Sequence, residues 1–283
     1  MIVDKPPWIS HEGFQIFSIH VHPSSNRFVT AGGDNKVKIW SLDPVLSEAD
    51  EGDASKPKLL ATLSDHYGAV NTVRFSGDGR FLASGSDDQL VCVHEHKEGQ
   101  APAAVFGEDT YNLENWKQRT LLRGHRSHVM DVGWSPDGSM LASCSLDNSV
   151  IVWEVGGGTV VARLEGHTSH VKGLSWDPIG RYLATQGDDK CLRIWSTEDW
   201  KPVAGIAKCF EGSATSSFSL RLCWSPEGST LFAPNVLERP CQCAVAIQRG
   251  EWSCDIKLEL CGGNKARAGA TVQCCHMVPD SRD

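Results

Sequence analysis

This sequence has little of what several functional classes require. No run in its 283 residues approaches eighteen consecutive apolar side chains, which excludes a membrane-spanning helix. The opening MIVDKPPWISHEG lacks a basic segment followed by an apolar one, so it does not read as a secretory signal. Basic charge is in deficit, with 27 Lys plus Arg against 35 Asp plus Glu and a net charge of −8. Such a balance disfavours a direct grip on phosphate backbones and suits solubility or a basic partner. There is no GxSxG elbow, no phosphate-binding loop and no GxGxxG after a strand. Gly156-Gly157-Gly158 reads as a flexible turn, and an enzyme, whether hydrolase or metal enzyme, is not expected.

Paired C-x-x-C spacing is also missing, although the chain has 11 cysteines and six of them, from Cys241 to Cys275, fall in the last 43 residues. Zinc is therefore not expected. His20 with His22, and His94 with His96, each share a strand face but lack a third ligand. No metal and no cofactor is expected. The cysteines read as reduced, mostly buried thiols of an intracellular chain.

What the sequence does have is 40% hydrophobic residues, enough for a sizeable core, and ten tryptophans against three tyrosines. Self-comparison explains the tryptophans. Three segments, starting at His66, His125 and His167, align without a gap. In each, the histidine precedes an aspartate by 22 residues: Asp88, Asp147, Asp189. A Ser84, Ser143 or Thr185 stands four residues before that aspartate, and six residues after it comes His94, Trp153 or Trp195. A fourth copy opens the chain with Thr30, Asp34 and Trp40 at the same offsets, and with His11 one residue out of register. Each copy alternates apolar and polar residues around turns such as SPDG and DPIG, which predicts three short strands. Segments such as TVVARLEGH supply a fourth.

Units of this kind resemble the WD40 β-propeller family, an all-β fold. The resemblance implies that His, Ser/Thr, Asp and Trp form a structural hydrogen-bonded tetrad in each blade. It assigns that role to Thr30, Asp34 and Trp40; to His66, Ser84 and Asp88; to His125, Ser143, Asp147 and Trp153; and to His167, Thr185, Asp189 and Trp195. His94 leaves the second tetrad incomplete. A fifth copy, SFSLRLCWSPEGSTLFAPN, places Ala233 and Leu237 at the Ser/Thr and Asp offsets, so packing must hold it. A sixth begins at ATVQCCHMVPD and stops. The expectation is about five blades over residues 1–260, with a divergent tail, residues 261–283, carrying the first strand of a truncated sixth. The ring is then incomplete relative to seven blades.

Two inserts interrupt the spacing, residues 42–65 and 95–124. The first holds the acidic cluster Glu48, Asp50, Glu51 and Asp53, read as a solvated loop. The second holds Phe106, Tyr111 and Trp116, which either pack back on the blades or receive a partner. With PPWISHEG, HVHPSSNRFVTAGG, VFGEDTYNLENWKQRTLLRGH and LASCSLDNSVIVW, these inserts carry the resemblance further, to the N-terminal propeller of the HIRA family of nuclear histone chaperones. It runs from about residue 1 to 260 and fades after Leu260.

That resemblance implies a non-enzymatic scaffold in a complex that deposits H3–H4 histones outside replication and contributes to chromatin silencing. It also implies a ubinuclein-type partner subunit, indirect contact with histones, and a nuclear location. The rival within the binding class is a generic WD40 adaptor such as a ubiquitin-ligase substrate receptor. Partners of WD40 blades often meet positions three and five residues after the histidine and one before the aspartate. On that basis Phe17, Asn71, Asp87, His128, Met130, Leu146, Lys172 and Asp188 are candidate contacts, with Tyr111 and Trp116 from the second insert.

Overall fold

The computed structural model describes residues 6–99, 112–213, 217–238, 241–254 and 256–258. Within these residues lie twenty strands in five four-stranded sheets, each using four strands consecutive in the chain. The first sheet is β1 (Ile16–Val21), β2 (Arg27–Gly32), β3 (Val37–Ser41) and β4 (Leu59–Leu63). The second is β5 (Val70–Phe75), β6 (Phe81–Ser86), β7 (Leu90–His96) and β8 (Trp116–Arg123). The third is β9 (Val129–Trp134), β10 (Met140–Ser145), β11 (Val150–Glu154) and β12 (Thr159–Leu164). The fourth is β13 (Val171–Trp176), β14 (Tyr182–Gly187), β15 (Leu192–Ser196) and β16 (Pro202–Ile206). The fifth is β17 (Cys223–Trp224), β18 (Thr230–Glu238), β19 (Cys241–Gln248) and β20 (Ile256–Leu258). These are the five blades of the all-β reading. The tail expected to start a sixth lies outside the described residues.

The chain divides into two compact units, residues 1–132 and 133–283, with the division inside β9. In the first unit, Val29, Ala31, Val37 and Ile39 of the first sheet pack with Val70, Val73, Phe75 and Leu82 of the second. Every residue of β3 is buried. A strand covered on both faces keeps a charged residue only where it is paired: Lys38 donates Nζ to Ser10 O at 2.9 Å and lies 3.4 Å from Asp34 Oδ2. In the second unit, Ala184, Leu192, Ile194 and Ile206 of the fourth sheet pack with Leu222, Trp224, Leu231 and Val245 of the fifth.

The repeat extends to irregularities. A bulge interrupts the first pairing at the same place in three sheets, between Ile16 and Ser18, Val70 and Thr72, and Val171 and Gly173. Another sits immediately before the tryptophan offset: Ile39/Trp40, Val93/His94, Val152/Trp153 and Ile194/Trp195. In this second set the extra residue is on the fourth strand (Leu60, Arg119, Val161 and Val203), which bends that strand opposite the tryptophan position.

The first insert folds into two short helices, α1 (Asp43–Leu46) and α2 (Glu48–Gly52), with the Ser47 side chain accepting from the Asp50 backbone N–H. Three of the four acids in its cluster have side-chain or backbone partners. Asp50 pairs with Lys56 at 2.6 Å, Glu51 accepts the Trp8 indole N–H at 3.0 Å, and Asp53 accepts from Ser55. The described end of the second insert packs back on the first sheet: Leu113 and Glu114 donate their backbone N–H groups to Leu60 O, and Asn112 exchanges hydrogen bonds with Thr62.

Candidate functional site

The polar offsets of the repeat become directed hydrogen-bond chains. In the fourth sheet, Trp195 Nε1 donates to Thr185 Oγ1 at 2.9 Å, and His167 Nε2 lies 2.9 Å from the same hydroxyl. His167 Nδ1 lies 2.9 Å from Asp189 Oδ2. An ionised carboxylate can only accept, so in the neutral ring the imidazole N–H faces Asp189, and the threonine hydroxyl, which accepts the indole N–H, gives its own proton to Nε2. Burial pushes the Asp189 carboxyl up, but the His167 hydrogen bond and the backbone N–H groups of Thr168 and Cys191 outweigh it and hold it below the usual range.

The first sheet repeats this chain through Trp40, Thr30, His11 and Asp34, with distances of 2.8, 2.7 and 2.6 Å. His11 therefore belongs with Thr30, Asp34 and Trp40, although its offset is one residue too long. The extra residue is absorbed in a turn where Glu12 and Gly13 have φ of 54° and 87° and Phe14 N–H bonds back to His11 O. Gly13, two residues after His11, was the available signal. In the third sheet Trp153 Nε1 donates to Ser143 Oγ at 2.8 Å. His125 is buried in the first unit; Asp147 belongs to the second.

The second sheet departs where the sequence said it would. His66 reaches Ser84 and Asp88, each at 2.8 Å. His94, in the tryptophan's place, leaves Ser84 and instead puts Nε2 2.7 Å from Asp65 Oδ2. Its hydrogen bond holds the Asp65 carboxyl low. His94 Nδ1 is left buried without a partner. Sequence offsets do not contain the Asp65 contact, because Asp65 lies one residue outside the aligned repeat.

The candidate partner contacts divide sharply. Asp87 and His128 are accessible, their side chains 34% and 49% exposed, and His128 Nδ1 lies 3.0 Å from Asp87 Oδ1. Asn71 is buried, and it donates from Nδ2 to Asp87 Oδ1 at 2.8 Å and to Val129 O at 3.0 Å. It orients Asp87 rather than presenting itself. Met130 is a correction: expected as an exposed apolar group, it is only 4% accessible, with its sulfur 3.9 Å from Asn71 Nδ2. Trp116 is a second correction. At 7% exposure it is a core residue, stacked on His96 at 4.6 Å and packed on Phe75, with its N–H donated to Glu114. β8 begins at Trp116, so the residue closes the second sheet instead of lying in a loop.

Phe17 is half-buried, with its ring against Gly33, and Leu146 is half-buried in the second unit. Lys172 Nζ lies 2.6 Å from Asp188 Oδ2, and both side chains are largely covered, so they offer less surface than expected. Tyr111 lies outside the described residues, as do Cys261, Cys274 and Cys275. The seven cysteines whose side chains are described are reduced thiols, but only Cys92, Cys144 and Cys243 are buried; the other four are half-buried. Among the described residues, no group of three His, Cys, Asp or Glu is placed to hold a metal ion. A residue that position counting passed over is Tyr67, 89% exposed, immediately after the tetrad His66.

Residues 2–212 match the family model of the CAF1B/HIR1 beta-propeller domain. The chain is 51% identical over 253 residues to Protein HIRA of Oryza sativa subsp. japonica and 45% identical over 268 residues to Protein HIRA of Homo sapiens. It is 44% identical over 262 residues to Protein HIR1 of Cryptococcus neoformans var. neoformans. These alignments cover 89%, 93% and 90% of this chain but only 26%, 26% and 30% of the relatives, so the chain spans less than a third of their length.

Proposed function

The chain belongs to the CAF1B/HIR1 β-propeller domain family, and on that premise we propose that it is a non-enzymatic scaffold of a HIRA-type histone chaperone complex. The observation that carries this reading is the pairing of rigid turns with accessible polar groups. Asp87 is fixed by Asn71 and directly precedes the tetrad Asp88, whose backbone N–H is donated to Ser86 Oγ. A side chain held before the partner arrives loses little freedom on binding, and that is what an interaction module needs. The polar chains through His11, His66 and His167 end on buried aspartates and serve stiffness, not reaction.

In this reading the chain binds a ubinuclein-type subunit, meets H3–H4 histones indirectly, and works in the nucleus in nucleosome assembly outside replication and in transcriptional repression. Affinity purification of the chain from nuclear extract, followed by mass spectrometry, tests it. Recovery of a ubinuclein-type subunit is the expected result. Its absence, with cullin adaptors recovered instead, would transfer the chain to the ubiquitin-ligase receptors.

A further inference from the structure

Sheets two and four carry an aspartate at the same position, one residue before the tetrad acid, and treat it differently. In the fourth sheet Asp188 is closed by its own chain: Lys172 Nζ lies 2.6 Å from Oδ2, and the side chain is 9% exposed. In the second sheet the residue at the lysine's position is Asn71, an uncharged amide. It donates to Asp87 Oδ1, and the His128 imidazole approaches the same oxygen at 3.0 Å. Among the described residues no hydrogen bond or ion pair reaches Asp87 Oδ2, and the side chain is 34% exposed.

The flanking residue differs as well. Thr168 follows the histidine of the fourth sheet, whereas Tyr67 follows that of the second. The Tyr67 backbone is pinned by its N–H to Asp88 Oδ2 at 3.0 Å, and Gly68 beside it sits so close to Asp87 that an added Cβ would come within 3.1 Å of the Asp87 Cβ. The Tyr67 ring is 89% exposed and makes no ring contact among the described residues.

We propose that Tyr67, Asp87 and His128 form a socket for an arginine side chain of a protein partner. This deepens the scaffold reading and rests on it for the biological partner, but not for the chemistry. A carboxylate with one oxygen fixed and the other open to solvent takes a charge-assisted N–H donor. Tyr67 is carried on the backbone that abuts Asp87 through Gly68, so its exposed phenol can swing over the flat face of the same group, and only a guanidinium is both planar and always charged. Lys172 shows what fills the equivalent place when the chain supplies its own cation. Aromatic and charged groups held in this way carry a large share of binding energy in protein interfaces.

The test uses the full chain with histidine ring carbons isotope-labelled, titrated with a capped heptapeptide containing one arginine between alanines. Matched peptides carry lysine or citrulline instead. The expected result is a saturable shift of the His128 ring signal, with the arginine peptide binding at least about fivefold tighter than the lysine peptide and the citrulline peptide silent. Tyr67→Ala and Asp87→Asn each weaken the arginine peptide by about tenfold, in line with interface anchors. Both substitutions are at accessible positions and leave the remaining histidine signals in place. Equal shifts with all three peptides, no shift at all, or full binding by both variants would overturn the socket. That outcome would leave the scaffold reading intact if a ubinuclein-type subunit still co-purifies; failure of co-purification beside a working socket would do the reverse.

Discussion

In the fourth sheet every polar offset of the repeat is filled, and Trp195, Thr185, His167 and Asp189 bond in series. In the fifth, Ala233 and Leu237 stand at the threonine and aspartate offsets, and no such series can form. The fifth sheet is fastened from outside. Arg249, just past β19, forks onto Asp177 in the first turn of the fourth sheet, at 2.8 and 2.5 Å. Asp177 has no accessible surface, and its two oxygens also accept the backbone N–H groups of Ile179 and Arg181. The same guanidinium lies 5.7 Å from the Trp224 ring and 5.1 Å from Tyr182. One repeat is latched within itself and the next is latched to its neighbour. A periodic sequence can therefore lose its internal polar chain in one unit, provided the seam with the adjacent unit supplies the specificity.

The comparison can be broken most severely at the seam. Arg249→Ala leaves the buried Asp177 carboxylate without its charge partner, which costs about 3–5 kcal/mol in comparable buried pairs. Urea unfolding of the second unit, followed by tryptophan fluorescence, should show a loss of that size, and a change below about 1 kcal/mol would mean the seam is held by apolar packing alone. Next in size is the loss of one latch bond. Trp195→Phe removes a buried donor to Thr185 and is expected to cost about 1–2 kcal/mol. Trp224→Phe, whose Nε1 reaches Ser175 O at only 3.3 Å, should cost less. If the two cost the same, the internal latch of the fourth sheet adds nothing specific.

The smallest effect sharpens the comparison through pH. The Asp189 carboxyl lies below its unfolded value of about 3.9, so its contribution is complete above that pH and is lost as pH falls through the lower folded value. The stability difference between the wild-type chain and Asp189→Asn is therefore expected to be constant from pH 7 to about 5 and to shrink below about 4. A difference that grows on acidification would contradict the lowered Asp189 carboxyl as the source of this contribution.

The five sheets were legible in the sequence because the repeat is local: the histidine, hydroxyl, aspartate and tryptophan offsets and the turn residues recur within some thirty positions. His94 announced the incomplete second tetrad for the same reason. Contacts that join distant segments were not legible. DPIG in place of SPDG was visible at Asp177, but Arg249 lies 72 residues away and nothing in either segment points to the other. Met130 read as exposed because position counting places a side chain on a loop without saying what covers it, and for Trp116 the insert left packing back and partner contact equally open. In the structure β8 begins at Trp116, and Asn71 turns inward onto β9 beside Met130. Tyr67 was missed because the counting rule skips the position immediately after the histidine.

The buried thiols give the molecule a clock of its own. Cys92 lies in β7 with no accessible surface; burial, aided by the carboxylates of Asp65 and Asp88, pushes its thiol far above the ordinary range. Cys144 in β10 and Cys243 in β19 are sealed in the same way in other sheets. A thiol reacts as its thiolate, so each of these is mute while its sheet is closed and regains ordinary reactivity when the strands part. The rate at which each one takes up an alkylating label then records how often that particular sheet breathes, sheet by sheet, without any cysteine having to be engineered in.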